Sequence, residues 1–236
     1  MSNLRCYPRA HSFVRACTIA ATLSFAVASA PALAIKPFSA DYQASFMGLQ
    51  GSGKVILESQ GGDKWKYSLA IGSSGVQLNQ TTVFEDKAGA WRPLSGSDSA
   101  RVLIKSSSTT STYDWSKGVA TWSGDVKPER AGPVTLQAGD VDALLLNLVL
   151  ARDISAGKPL NYRLVEDGRA KPLSYTVTGT EAITIDGQSR QATKATQTDG
   201  NRQITVWVVD GVPAPARILQ QKNGKDDIDL RIQSVN

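Results

Sequence analysis

Between Gly139 and Arg152 the chain reads GDVDALLLNLVLAR, the one convincing helical pattern among short alternating stretches and glycine-rich turns. Val141, Leu144, Leu145, Leu148 and Val149 recur at the spacing of one helical face. Leu146 and Leu150 fall outside that face and widen the apolar arc to about two-thirds of the circumference, at ~100° per residue. A helix with water along one side needs neither leucine. A second layer of protein, a partner or an apolar ligand must therefore cover them. The spacing predicts a cap at Gly139 or Asp140, acidic support from Asp142, and an end before Gly157 and Pro159.

The remaining patterns are those of strands. Phe38, Ala40, Tyr42, Ala44 and Phe46 alternate with polar residues, the period-two signature of a half-buried strand. A glycine-rich turn, Lys54 to Gln60, a Gly61-Gly62-Asp63 turn and Lys64 to Ile71 follow as consecutive hairpins, with Trp65, Tyr67, Leu69 and Ile71 on one face. Further strand candidates run over 76–86, 91–94, 101–106 and 109–115, with an irregular connection over 124–137. After the helix they resume at 160–166, 173–179, 181–186 and 188–198. The apolar run 203–209 reads as buried on both faces, and 217–221 pairs with 227–235 across Asn223-Gly224. About a dozen short strands at 8–12-residue spacing with one helix predict a mainly β protein. Its antiparallel curved sheet forms a barrel or half-barrel, with the apolar helix packed on the concave face.

The ends remove most familiar chemistry. Residues 1–34 combine Arg5, Arg9 and Arg15 with an uncharged apolar run from Ala16 to Ala30 and small-residue sites at Ala28-Ser-Ala30 and Ala32-Leu-Ala34. That is the pattern of a cleaved secretory signal peptide, too short to span a bilayer, and it places the product in the periplasm. Residues 35–236 then form a single β-rich domain. Lys plus Arg number 26 against 21 Asp plus Glu; losing three arginines with the leader leaves a net charge of +2, and no basic run suits nucleic acid. Cys6, Cys17 and His11 all lie in the leader. Their loss excludes disulfides, thiol nucleophiles, Ser-His-Asp triads and His/Cys metal sites, and no cofactor or metal is expected.

Near-matches to catalytic motifs resolve as turns. Gly48 to Val55 approaches a phosphate-binding loop but has valine where a magnesium-binding hydroxyl is required, and continues as a strand. Ser155-Ala-Gly-Lys158 has the spacing of a serine–lysine nucleophile, yet follows a helix instead of opening one. The carboxylate clusters Asp140/Asp142, Glu166/Asp167 and Asp226/Asp227/Asp229 read as helix-start charge, turns and a solvated edge, with Asp229 pointing outward from a terminal strand.

The segments Trp91-Arg92-Pro93-Leu94, Tyr113-Asp114-Trp115, Asp142 to Gly157, Tyr175 to Glu181 and Val206 to Asp210, in that order, resemble an exported bacterial family described as domain of unknown function 3108. The chain departs from it at Val212-Pro-Ala-Pro-Ala216. The resemblance implies a curved β-sheet protein of the envelope and supplies no catalytic residues.

The expected function is a non-enzymatic periplasmic binding or carrier protein for an apolar or amphipathic envelope molecule such as a lipid. Leu146 and Leu150 with Trp65, Trp91 and Trp207 are its candidate cavity lining. The alternatives are a structural protein docking an envelope partner, and a carboxylate-dependent glycan hydrolase.

Overall fold

The computed structural model describes residues 35–46 and 48–236. The expected signal peptide lies outside the described residues. The first meander comprises β1 (Phe38–Phe46), β2 (Leu49–Gly61), β3 (Lys64–Ser73), β4 (Val76–Lys87), β5 (Ala90–Val102), β6 (Lys105–Asp114) and β7 (Val119–Gly124). A 3-10 turn (Pro128–Arg130) and the short strands β8 (Val134–Thr135) and β9 (Asp140–Val141) lead into helix α1 (Ala143–Ser155). Then come β10 (Asn161–Glu166), β11 (Arg169–Ser174), β12 (Thr176–Ile185), β13 (Gln188–Asp199), β14 (Arg202–Val208), β15 (Arg217–Lys222) and β16 (Lys225–Val235).

Thirteen strands make one open antiparallel sheet, ordered β12-β13-β14-β15-β16-β1-β2-β3-β4-β5-β6-β7-β8. The fold is mainly β, as expected, and the sheet curls without closing. Its join is the pairing of β1 with β16, Tyr42 opposite Ile232 and Ala44 opposite Leu230. The curl is visible in what α1 touches. It contacts β3 and β4 on one arm and β14 on the other, although β15, β16, β1 and β2 intervene between β14 and β3. At ~4.8 Å per strand a flat sheet would hold those arms too far apart for one helix of ~10–12 Å diameter. The helix therefore lies in the concave face.

A three-stranded sheet, β11-β10-β9, covers the other side of α1. β9 and β10 run parallel, joined through α1, and the Tyr113 hydroxyl of β6 donates to the Val165 carbonyl of β10 at 3.1 Å. Protein thus covers the wide apolar arc: Leu150 is fully buried and Leu146 nearly so.

Several local expectations are corrected. The cap of α1 is Asp142, whose carboxylate accepts from Leu145 N at 2.7 Å; Asp140 and Val141 instead pair with β10. The glycines Gly51 and Gly53 lie inside β2, paired with β3, because glycine lets β1 and β3 approach closely there. Gly179 lies within one continuous strand, paired with Lys194 beside a bulge at Thr178, rather than at a break between two strands. The stretch 124–137 holds the 3-10 turn and β8. Residues 101–106 are not one strand but the end of β5 and the start of β6, joined by a turn at Leu103-Ile104. No Gly or Asn marks that turn, which is why an apolar run reads there as strand. Asp229 sits on a strand inside the sheet rather than at its edge. It is buried beneath Arg217, 2.8 and 2.9 Å away, and Arg231 at 2.8 Å.

Candidate functional site

Hairpin topology gives the half-barrel two unlike ends. Turns β1–β2, β3–β4, β5–β6, β13–β14 and β15–β16 gather at one end, and turns β2–β3, β4–β5, β6–β7 and β12–β13 at the other. Side chains on a shared inward face change character along this axis. On β3 the series is Tyr67, Leu69, Ile71, and on β14 it is Val206, Ile204, Arg202. On β13 it runs Ala195, Gln197, Asp199. Close packing with α1 fills the end where Tyr67 and Val206 lie. The other end holds a cavity of about 430 Å³.

The floor of the cavity is apolar. Leu69 and Ile71, Leu146 of α1, Leu173 of β11, and Ile218 and Leu230 of the second meander, β12 to β16, form it. Its rim is charged, with Asp98, Glu166, Lys171, Asp199 and Arg202. Asp98 accepts from Gln80 Nε2 at 2.8 Å, and Lys171 stands 3.8 Å from Asp199. Water reaches Glu166 through the mouth, but the protein around it removes much of its hydration. That desolvation, with the Asp98 carboxylate as the next cause, holds the Glu166 carboxyl above its ordinary value. Asp98 is raised for the same first reason, against the opposing hydrogen bond from Gln80.

Behind the rim, Asp142 receives Leu145 N and the Thr82 hydroxyl, the latter at 2.8 Å. Burial outweighs both hydrogen bonds and pushes its carboxyl up to about 7, with Glu166 and Asp98 adding repulsion. Among the described residues no cluster of His, Cys, Asp or Glu has the arrangement of a metal site.

Of the five side chains singled out in the sequence, Leu146 lies on the cavity wall. Leu150 belongs to the packed core. Trp65 and Trp91 lie toward the filled end, where Trp91 packs at a tilt against Phe84, ring centroids 5.7 Å apart, and beneath the Arg152 guanidinium at 4.5 Å. Trp207 alternates with Val206 and Val208 and so faces away from the concave side, under Arg217 at 4.5 Å and Lys194 at 5.2 Å. Its indole N–H donates to Glu181 at 2.8 Å. The tryptophans thus brace the filled end and the outer face. The residues missed are the ordinary aliphatics Leu69, Ile71, Ile218 and Leu230, which read as core like their neighbours. The available signal was the change from apolar to polar along one face of β13 and β14 toward a Gly-Asn turn.

An open, curled sheet that clasps one helix and keeps an amphipathic cavity beside it defines a β half-barrel with an internal pocket. The chain belongs to the family described as Protein of unknown function (DUF3108), whose model matches residues 41–230. Its fold is similar to that of a beta-barrel-like protein of domain of unknown function DUF1849 from Brucella abortus, at 11% identity and TM-score 0.53. That likeness covers 85% of this chain and 97% of the other. A fainter likeness joins it to the MucA/MucB complex of Pseudomonas aeruginosa, at 10% identity and TM-score 0.35. A crystal structure of MucB is likewise similar at 8% identity and TM-score 0.31. Each covers 85% of this chain but only 51% and 52% of the other, so the chain spans about half the length of those relatives. No curated protein matches the sequence.

Proposed function

We propose that the protein binds an amphipathic molecule of the cell envelope, with the apolar portion in the cavity beside α1 and the polar portion at the charged rim. One observation carries this reading: the 430 Å³ space has an aliphatic floor and a rim of both charge signs. Its size falls within the ~300–1,000 Å³ typical of small-ligand pockets. The signal-like pattern of residues 1–34 supports delivery to the periplasm. A lipid or lipid-like molecule fits both features.

Native mass spectrometry and solvent extraction of protein purified without detergent test the proposal, alongside uptake of a fluorescent acyl-chain probe. The expected result is a bound amphiphile or saturable probe uptake. Leu146→Trp, which fills part of the space, should abolish either while leaving the circular dichroism spectrum unchanged. Protein that carries nothing and takes up no probe overturns the reading.

A further inference from the structure

The tip of the β5–β6 hairpin breaks the rules that the other turns obey. Tight hairpin turns favour Gly, Asn or Asp, as in Asn223-Gly224, where both residues have positive φ. At Val102-Leu103-Ile104 the turn is made of large aliphatics, and Leu103 takes φ 55°, a conformation a bulky side chain rarely adopts. Neither residue is repaid by burial. Leu103 is 74% exposed and Ile104 96% exposed, the two most exposed large hydrophobic side chains among the described residues. The tip is nevertheless held firmly: Leu103 N donates to the Gly75 carbonyl of the adjacent β3–β4 turn at 2.7 Å. Leu49, 52% exposed, stands at the β1–β2 turn in the same row.

Charge on the three turn segments of this row has one sign, and the acids Asp98, Glu166 and Asp199 at this end belong to the cavity lining. Residues 48–50, 73–77 and 101–105 contain Arg101 and Lys105 and no acidic residue. Two largely exposed aliphatics flanked on each side by a cation match a bilayer interface, where apolar side chains enter the acyl boundary and lysine and arginine reach the headgroups. A protein groove that accepted the tip would have to supply its own anions; an anionic lipid surface presents them everywhere. The same end of the half-barrel holds the cavity mouth, lined by Asp98, Ser99, Ala100 and Ser107 on the two strands that make this hairpin.

We propose that the β5–β6 tip is a membrane-docking finger: Leu103 and Ile104 insert into an anionic lipid surface, and Arg101 and Lys105 hold the headgroups beside the cavity mouth. The inference does not require the cavity to be filled. Docking can fail while the protein keeps its amphiphile, and the reverse, so the two readings are separable.

Flotation of the full chain lacking residues 1–34 with vesicles of phosphatidylethanolamine and phosphatidylglycerol tests it, with pure phosphatidylcholine vesicles as comparison. The expected result is binding to the anionic vesicles that weakens as salt is raised. Leu103→Asn/Ile104→Ser should lower the affinity about tenfold or more, since each aliphatic removed forfeits its burial. Asparagine tolerates positive φ, and both positions are exposed, so the variant should keep its melting temperature. Arg101→Gln/Lys105→Gln should remove much of the salt dependence, and Ile104→Trp should show a blue-shifted emission only with vesicles. Failure of the unaltered protein to float overturns the proposal, and so does equal flotation of the Leu103→Asn/Ile104→Ser variant. Self-association through the tip without vesicle binding overturns it as well.

Discussion

Asp142 carries the helix cap and also a cost. Its carboxylate satisfies Leu145 N and the Thr82 hydroxyl, yet burial raises its pKa to about 7, above an ordinary ~3.9 in the unfolded chain. The folded state therefore favours the neutral acid. Its contribution to stability is complete below about pH 4 and is lost as pH rises through about 7. Asp142→Asn keeps an oxygen for the cap and cannot ionise. Urea melts at pH 4 and pH 8 should show the variant gaining on the parent at pH 8, by on the order of a few kcal/mol, with a much smaller difference at pH 4. Equal differences at both values would contradict this. Gly168 illustrates a steric demand instead. With φ 67°, it lies against the Arg130 carbonyl, where an added Cβ would stand 2.2 Å from the oxygen, while Arg130 also donates to Asp167. Gly168→Ala should lower the melting temperature and cost about 1–3 kcal/mol, by forcing the 3-10 turn away from the β10–β11 hairpin.

At the scale of elements, helix and strands were legible to different depths. Alternation on β1 and the Asn223-Gly224 turn identified their strands from local signals alone, because each pattern states its own period. The start of α1 was misplaced by two or three residues because Asp140 and Asp142 are equally good caps in sequence. Only the pairing of Asp140 with Arg163, at 2.5 Å across to β10, removes the first from the helix. The β5–β6 tip was misread because its residues favour strand and nothing local compels a turn. Leu146 and Leu150, indistinguishable in sequence, are separated by what packs on them. Leu150→Ala should cost about 2–5 kcal/mol in denaturant melts, as for a fully enclosed leucine. Leu146→Ala should cost clearly less, since its side chain already borders open space. Equal costs would show the cavity wall to be as tightly packed as the core.

For the whole molecule, the curled mainly β architecture could be read from strand count and spacing, but the site could not. A cavity exists where inward residues from β3, β14, β15 and β16 fail to meet, a distance fixed by the curl of the sheet rather than by any residue on it. The segments that carry the family resemblance serve this frame. Trp115 donates to the Pro93 carbonyl at 2.6 Å, Tyr113 ties β6 to β10, and Trp207 is clamped among Glu181, Lys194 and Arg217. The two meanders meet at β1 and β16, and Asp41 and Ser234, hydrogen-bonded across that seam, are 193 positions apart. At ~5–20 residues per second of synthesis, β1 waits about 10–40 s for its partner. Throughout that interval Tyr42 and Ala44 face water, and one edge of β1 lies open to any passing strand. The last strand to arrive, with Ile228 and Leu230, is therefore the one that covers this edge.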